Sequence, residues 1–371
     1  MIHHAPCGRA RGWAADPANG PSIGPPARAG AHGARRAERA TLQPRGDGAP
    51  GAWQARRVTG SLMLVDAAGL WFRSYYALPE SLTAPDGTPV NAVRGFCDML
   101  AKLIVQRQPS RLVVCLDNDW RPQFRVDALP SYKTHRVAEE LPADGSVEEV
   151  PDTLGPQVPV ILEVLDALGV TTAEAAGFEA DDVLGALATA ERTGPVEVIT
   201  GDRDLFQLVS DGPPPIRVVY IGAGLNKLQD CGPAELAERY ALPVERAGDA
   251  YADMAVLRGD PSDGLPGVAG IGEKTAAKLI TQFGSLDALL RAASSGDRRL
   301  TPRNREKLGA AAEYLSAAPS VVRVVRDCPV VRDRDGDRIG DAAIDRERLA
   351  DLQHRWGLGT TVDRLLAALE G

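Results

Sequence analysis

Long apolar runs are missing from this chain. No stretch of its 371 residues approaches the roughly 18 apolar residues that a membrane-spanning helix needs, and the longest aliphatic strings, such as Leu62 to Val65, have the length of a core strand. Cysteine is scarce, five in all. An odd number without C-x-x-C spacing excludes both a disulfide framework and a zinc module, and it fits reduced thiols in a cytoplasm. The five histidines are scattered, two of them at positions 3 and 4, so a His-rich metal centre is excluded. Basic excess is missing too. The net charge is −8, and an acidic chain ordinarily argues against nucleic acid, unless its carboxylates gather around metal ions.

The first sixty residues differ from the rest. They hold nine Arg, no Lys and three acids, and Ala, Gly, Pro and Arg make up 40 of the 60. The whole chain carries −8 and this segment +6, so the remainder carries −14. A segment so poor in periodic apolar residues does not offset its ordering entropy. It lacks the apolar stretch of a secretory signal. A disordered tail, a reading frame extended upstream of a start at Met63, and a targeting segment with a single serine, Ser22, remain as readings.

From residue 61 strand and helix signals alternate. Leu62–Asp66, Arg111–Asp117, Val196–Thr200 and Arg217–Ile221 read as buried strands, with helices at Val90–Gln106 and Val158–Leu168 between them. This pattern predicts an α/β domain over 61–232 with a mostly parallel sheet, flanking helices and a polar insertion at 119–157. A helical domain follows over 233–345, and a C-terminal helical element over 346–371.

Carboxylates cluster at the predicted strand ends: Asp66, Asp117, Asp202 and Asp204. Glu179, Asp181 and Asp182 open a predicted helix. Singly, each is as well explained as a helix cap or turn. Together at one sheet edge they would repel one another unless a cation intervened. All-oxygen donors suit Mg²⁺ or Mn²⁺, and two such ions serve in-line attack on a phosphodiester.

The second constellation runs from Gly259 to Ala276 between predicted helices, a helix–hairpin–helix. Gly267, Gly270 and Gly272 would let backbone approach a phosphate at the next helix N-terminus, with Lys274 and Lys278 adding charge. Such a contact positions a duplex without reading it. Glu273 between Gly272 and Lys274, and the lack of a preceding strand, rule out a P-loop. A plain glycine-rich turn is the alternative. Asp260 and Asp263 at the hairpin mouth would extend the acidic cluster.

In order along the chain stand Leu64-Val65-Asp66, Cys115-Leu116-Asp117, Phe124-Arg125, Tyr132-Lys133-x-x-Arg136, Glu179-Ala180-Asp181-Asp182, Thr200-Gly201-Asp202-Arg203-Asp204 and Gly259-Asp260-x-Ser262-Asp263, closed by the hairpin through Thr275-Ala276. Over about residues 62–330 this series resembles the structure-specific 5′ nucleases: the bacterial 5′–3′ exonuclease domain that elsewhere precedes a DNA polymerase, and the flap endonucleases. The resemblance implies a free-standing family member acting on DNA with free 5′ ends, flaps, nicks or gaps, RNA-primed ends among them. It also implies one metal on Asp66, Asp117, Glu179 and Asp181 with Asp182 in support, and a second on Asp202, Asp204, Asp260 and Asp263.

By the same resemblance, 119–157 forms a helical arch in which Arg125, Lys133 and Arg136 grip the scissile phosphate and Tyr132 stacks on a base or packs. The hairpin, with Thr275 in its helix, carries K⁺ on backbone carbonyls. A monomer in the cytoplasm, on the nucleoid when bound, and no membrane partner complete these expectations. The family usually has Asn where this chain has Gly264, and the arch here runs into acid, from Glu139 to Asp152. A toxin-like metal-dependent ribonuclease and a catalytically silent DNA-binding protein are the alternatives; the hairpin weighs against the first and the intact acids against the second.

Overall fold

The computed structural model describes residues 60–141 and 145–371; the readings of 1–59 lie outside the described residues. In chain order the elements are β1 (Leu62–Asp66), α1 (Ala67–Ala77), α2 (Asn91–Arg107), β2 (Arg111–Cys115), α3 (Gln123–Ala128), β3 (Val137–Leu141), β4 (Gly145–Glu148), α4 (Gln157–Ala167), β5 (Thr171–Glu174), α5 (Ala180–Ala190), β6 (Val196–Thr200), β7 (Ile216–Tyr220) and β8 (Gln229–Cys231). Then come α6 (Pro233–Tyr240), α7 (Ala247–Arg258), α8 (Glu273–Phe283), α9 (Leu286–Ser295), α10 (Pro302–Ala310), α11 (Ala312–Val322), β9 (Val331–Arg332), α12 (Arg346–Trp356) and α13 (Thr361–Glu370).

The main sheet runs β8-β7-β6-β1-β2-β5-β9. Its inner pairings are parallel, and only the edge strands β8 and β9 are antiparallel. The chain builds outward from β1 through β2 to β5, then crosses back to place β6 on the other side of β1. The strand order therefore reverses at β1, and ligands of such sheets bind beyond the carboxyl ends there.

Alternation along each strand fills two cores. Leu62 and Leu64 pack with Val113, Val198 and the α5, α7 and α8 side chains. Met63 and Val65 pack with Val114, Ile199 and the α1, α2 and α4 side chains. The C-terminal helices close this second face: α13 lies on α2 and α12 on α4, with Arg364 paired to Asp98 at 2.7 Å.

One expectation is corrected. Among its described residues the insertion 119–157 does not form a helical arch. It contains the six-residue α3, a 3₁₀ turn at Thr134–Arg136, and the antiparallel β3–β4 ribbon. Polar residues with little helical periodicity satisfy their backbone groups across a ribbon more readily than in a solvated helix.

Candidate nuclease site

Asp66 ends β1 and caps α1: one oxygen accepts from the Gly69 amide at 2.8 Å, the other from the buried Thr200 hydroxyl at 3.0 Å. The cap reading holds for this residue, and the cap leaves it at the sheet edge where the other acids lie. Thr200 Oγ1 also accepts from the Asp202 amide at 2.9 Å, and Asp202 accepts from the Asp204 amide at 2.8 Å, so the β6 turn is tied to β1. Asp117, two residues past β2, accepts from the Ala180 amide at 2.7 Å and so joins the start of α5.

The carboxylates feel one another. Burial, then Asp202, Asp66 and Glu179, pushes Asp181 well above the ordinary carboxylate range. Burial, then Glu179 and Asp66, does the same to Asp117. Burial, then Asp202, Asp263 and Asp260, raises Asp204. Burial raises Asp66 too. Glu179 differs: burial pushes it up, yet the adjacent Lys133 and Arg125 outweigh burial and hold it below its usual value. A set of buried and half-buried acids that destabilise each other's charge suits hard divalent cations. Among the described residues, no three of these carboxylates already close into a coordination shell. Cations of the protein hold several of them instead.

Lys133 is one such cation. Its ammonium donates to Glu179 Oε2 at 3.0 Å and to the Trp120 carbonyl at 3.2 Å, and its backbone is left-handed, φ +48°. Strained non-glycine backbone of this kind concentrates at functional sites. Its amide donates to the Asp263 carbonyl at 3.1 Å. Arg136 bonds Asp263 Oδ1 at 2.9 Å and the Ser262 carbonyl at 3.0 Å. Burial raises the Asp263 carboxyl, and Lys133 and Arg136 counter it in part. The base of the insertion is thus fastened onto the hairpin mouth.

Two expected roles, those of Arg125 and Asp182, are corrected, and of the two readings of Tyr132 the structure shows packing. Arg125 does not face the site opening. It is 2% exposed, with both terminal nitrogens on Asp182 (2.9 and 2.6 Å) and Nε on the Val321 carbonyl at 3.2 Å. Asp182 is fully buried and also accepts from the Val325 amide at 2.7 Å, so its oxygens are committed to holding α3, α5 and the segment after α11 together. Tyr132 packs instead of stacking on a base: it is 3% exposed and donates to Glu179 Oε1 at 2.8 Å.

At the hairpin, Gly267 is buried at φ +65°, where a Cβ would overlap the Arg258 carbonyl, so packing requires this glycine. Gly270, at φ +74°, is exposed, and its carbonyl accepts from Lys307 Nζ at 2.6 Å. Gly272 is the N-cap of α8, with no capping side chain and open space around it. Helix N-termini of this kind favour anions. Lys274 and Lys278 are exposed, Thr275 half-buried, and the two lysines line a cleft of about 640 Å³ with Arg239 and Tyr240.

Sequence reading missed two arginines. Arg73 lies about two helical turns beyond Asp66 on α1; it donates to the Gly222 carbonyl at 3.2 Å, and its positive charge favours the ionised form of Asp66, in part offsetting burial. That helical spacing was the available signal. Arg258 closes α7 immediately before Gly259-Asp260, within 4.0 Å of both Asp204 and Asp260. A basic residue adjoining an acidic motif was the signal there.

The 5′–3′ exonuclease N-terminal resolvase-like domain matches residues 61–241, and the 5′–3′ exonuclease C-terminal SAM fold matches residues 247–342. The chain belongs to the 5′–3′ exonuclease family. It is 57% identical to a 5′–3′ exonuclease of Mycobacterium tuberculosis over 83% of this chain and 98% of that one. A 5′–3′ exonuclease of Streptomyces coelicolor is 53% identical over 83% of this chain and 99% of its own. DNA polymerase I of M. tuberculosis is 42% identical over 63% of this chain but 24% of the polymerase. The fold is shared with the bacteriophage T5 flap endonuclease solved with DNA and metal ions, at TM-score 0.52 and 17% identity, covering 84% of this chain and all of that one. The catalytic core of Rad2 with DNA substrate gives TM-score 0.53 at 17% identity, over 83% of this chain and 93% of that core. Family membership makes this chain a nuclease of the hydrolase class.

Proposed function

We propose that this family member is a structure-specific 5′ nuclease that hydrolyses DNA phosphodiesters at free 5′ ends, flaps, nicks and gaps, with two Mg²⁺ or Mn²⁺ ions. One observation carries the reading: acids beyond β1, β2 and β6 share an edge with Lys133 and Arg136, which are themselves pinned to the hairpin mouth. Asp66, Asp117, Glu179 and Asp181 would hold one ion, and Asp202, Asp204, Asp260 and Asp263 the other. When bound, the ions supply an activated water and stabilisation of the leaving oxygen.

The protein's own part is placement. Lys133, held by Glu179, and Arg136, held by Asp263, put positive charge where a scissile phosphate would lie beside the acids. Uncapped amides of α8 with Lys274 and Lys278 hold the duplex by its backbone, so cleavage follows DNA structure rather than base sequence. A K⁺ ion at the hairpin belongs to the same reading; since the Gly270 carbonyl already accepts from Lys307, the ion would rest on other carbonyls of the turn. RNA-primed 5′ ends, a monomeric state and a cytoplasmic, nucleoid-bound location are further parts of the proposal.

End-labelled flap, nicked, single-stranded and RNA-primed duplexes, incubated with Mg²⁺, Mn²⁺ or chelator, test it. Products shortened from the 5′ end in metal and absent in chelator are expected. Cleavage indifferent to the 5′ end, or to chelator, would overturn the reading.

A further inference from the structure

Arg258 is the basic group lodged between the second set of acids and the hairpin. Its NH2 is 4.0 Å from Asp204 Oδ1 and 4.0 Å from Asp260 Oδ2, and its NH1 is 3.6 Å from Glu273 Oε2. Glu273 is the first residue of α8, the helix that follows the hairpin. The guanidinium lies 5.8 Å from the centre of the buried Tyr251 ring. Three carboxylates thus surround one guanidinium, and none is within close hydrogen-bonding distance. The contrast with Arg125, bidentate on Asp182 at 2.6 and 2.9 Å, is one of commitment. Arg125 is bolted, whereas Arg258 has only its Nε fixed, on the Gly259 carbonyl at 3.1 Å, and its terminal nitrogens meet the carboxylates by charge without a close hydrogen bond. A cavity of about 280 Å³, lined by Ser131, Arg258, Pro261 and Gly264, leaves room beside it.

We infer that Arg258 is a positioning residue: the resident counter-cation of Asp204 and Asp260, which a divalent ion must displace toward Glu273 and the duplex side of the hairpin. The inference rests on the reading of these acids as metal ligands. A guanidinium and a divalent cation repel strongly at such distances, so both cannot rest on the same two carboxylates. With no ion bound, Arg258 relieves the repulsion between Asp204 and Asp260. With an ion bound, it needs another partner. Glu273 supplies one, and a duplex phosphate at the start of α8 supplies a second. Filling of this half of the site is thereby linked to DNA at the hairpin, and by reciprocity DNA binding is linked to the ion. Cleavage in the absence of correctly seated DNA is discouraged by the same device.

Mn²⁺ binding to the full-length, DNA-free protein, followed by the electron paramagnetic resonance of free Mn²⁺, tests this. The ion held by Asp204 and Asp260 is expected to form the weaker class of sites, because Arg258 competes for it; in Arg258→Met that class should tighten by roughly tenfold, since one nearby positive charge is gone, while the tighter class is unchanged. Glu273→Gln, at a half-exposed position, should act in the opposite direction: Arg258 is left to Asp204 and Asp260 alone, and the weaker class loosens. Arg258→Lys, which keeps the charge, should stay within about threefold of wild type. Unchanged weak-site affinity in both Arg258→Met and Glu273→Gln overturns the inference. Should Arg258→Met fail to fold, the direction of the Glu273→Gln shift decides alone. Asp204→Asn separates the levels. If it loses the weaker ion while Arg258→Met and Glu273→Gln change nothing, only the role of Arg258 falls; if it binds as many ions as wild type, the metal reading of these acids falls with it.

Discussion

Ser131 and Gly264 meet at close quarters across the hairpin mouth. The Ser131 hydroxyl donates to the Gly264 carbonyl at 2.8 Å, and a Cβ on Gly264 would overlap the Ser131 carbonyl oxygen. Gly264 also has φ +72°, the left-handed region that favours glycine. The close approach leaves no room at this position for the Asn that the resemblance would lead one to expect. The insertion sits so close to the hairpin mouth that no side chain fits between them.

Substituting Gly264→Asn should therefore harm the protein although it restores the family's usual residue. Asn tolerates positive φ, so the cost comes mainly from the collision, about 1–3 kcal/mol for a strained local arrangement. The insertion would lift, carrying Lys133 and Arg136 away from Glu179 and Asp263. A lower melting temperature with slower single-turnover cleavage is expected. Wild-type cleavage with wild-type melting would show that the contact is dispensable.

The buried Arg125–Asp182 pair makes a second test. Breaking one partner of such a pair leaves an uncompensated buried charge and commonly costs about 3–5 kcal/mol. Arg125→Met and Asp182→Asn should each show losses near that size in chemical denaturation, whereas the double variant Arg125→Met/Asp182→Leu should recover much of the stability. If Arg125→Met kept full stability and lost only activity, the guanidinium would have to act on substrate after all.

Much of this architecture was legible because its signals are local. β1 and β6 are short apolar runs ending in or just before acid, and α8 carries its glycine, its acid and its lysines in one contiguous stretch. The role of Arg125 was not legible. Its partner lies 57 residues away, and nothing in Phe124-Arg125 distinguishes an arginine facing phosphate from one facing α5. The same holds for β9, two residues whose only reason to be a strand is the open edge of β5. The β3–β4 ribbon escaped for another cause: Val137-Ala138-Glu139-Glu140-Leu141 and Gly145-Ser146-Val147-Glu148 show no strict apolar–polar alternation, the period that marks a strand in sequence.

The acid cluster sets a pH dependence. Asp66, Asp117, Asp181, Asp204 and Asp263 all have carboxyls raised above their ordinary value of 3.8. Groups raised in the folded state bind more protons there than in the unfolded chain, so stability falls as pH rises through that interval. In chelator, melting temperature should drop from about pH 4 upward as these carboxyls are forced to ionise. Glu179 and Glu191, the latter held down to about 2, work in the opposite sense and lose their contribution only as pH falls below about 4. Saturating Mg²⁺ or Mn²⁺ should flatten the upper slope. A metal-free protein that gains stability between pH 5 and 8 would contradict the crowding of these acids.

Lys274→Ala probes the hairpin separately from the chemistry. Binding to flap DNA in Ca²⁺ should weaken on every sequence alike, and the slope of log affinity against log salt should fall by roughly one phosphate contact. A change in base preference would mean that the hairpin reads sequence.

Lys133 and Asp181 stand on opposite sides of the same electrostatic balance, and this gives the sharpest test. Asp181 is a carboxylate that its neighbours destabilise. Removing its charge in Asp181→Asn should leave metal-free stability equal or higher, because repulsion is relieved. Lys133, with Arg125, keeps the buried Glu179 ionised. Lys133→Ala should lower metal-free stability, since a 4%-exposed carboxylate loses its closest charged partner. Both variants should lose cleavage by about two orders of magnitude or more, as expected when an electrostatic contribution to a phosphoryl-type transition state is removed. Both should still bind flap DNA in Ca²⁺, with Lys133→Ala the weaker. The comparison is melting in chelator beside single-turnover cleavage in Mg²⁺. Matching losses of cleavage with shifts of opposite sign in melting temperature support separate duties, metal holding for Asp181 and phosphate charge for Lys133. If instead both variants melt lower and bind DNA poorly, the two residues act through folding, and the assignment of chemistry to this edge of the sheet fails.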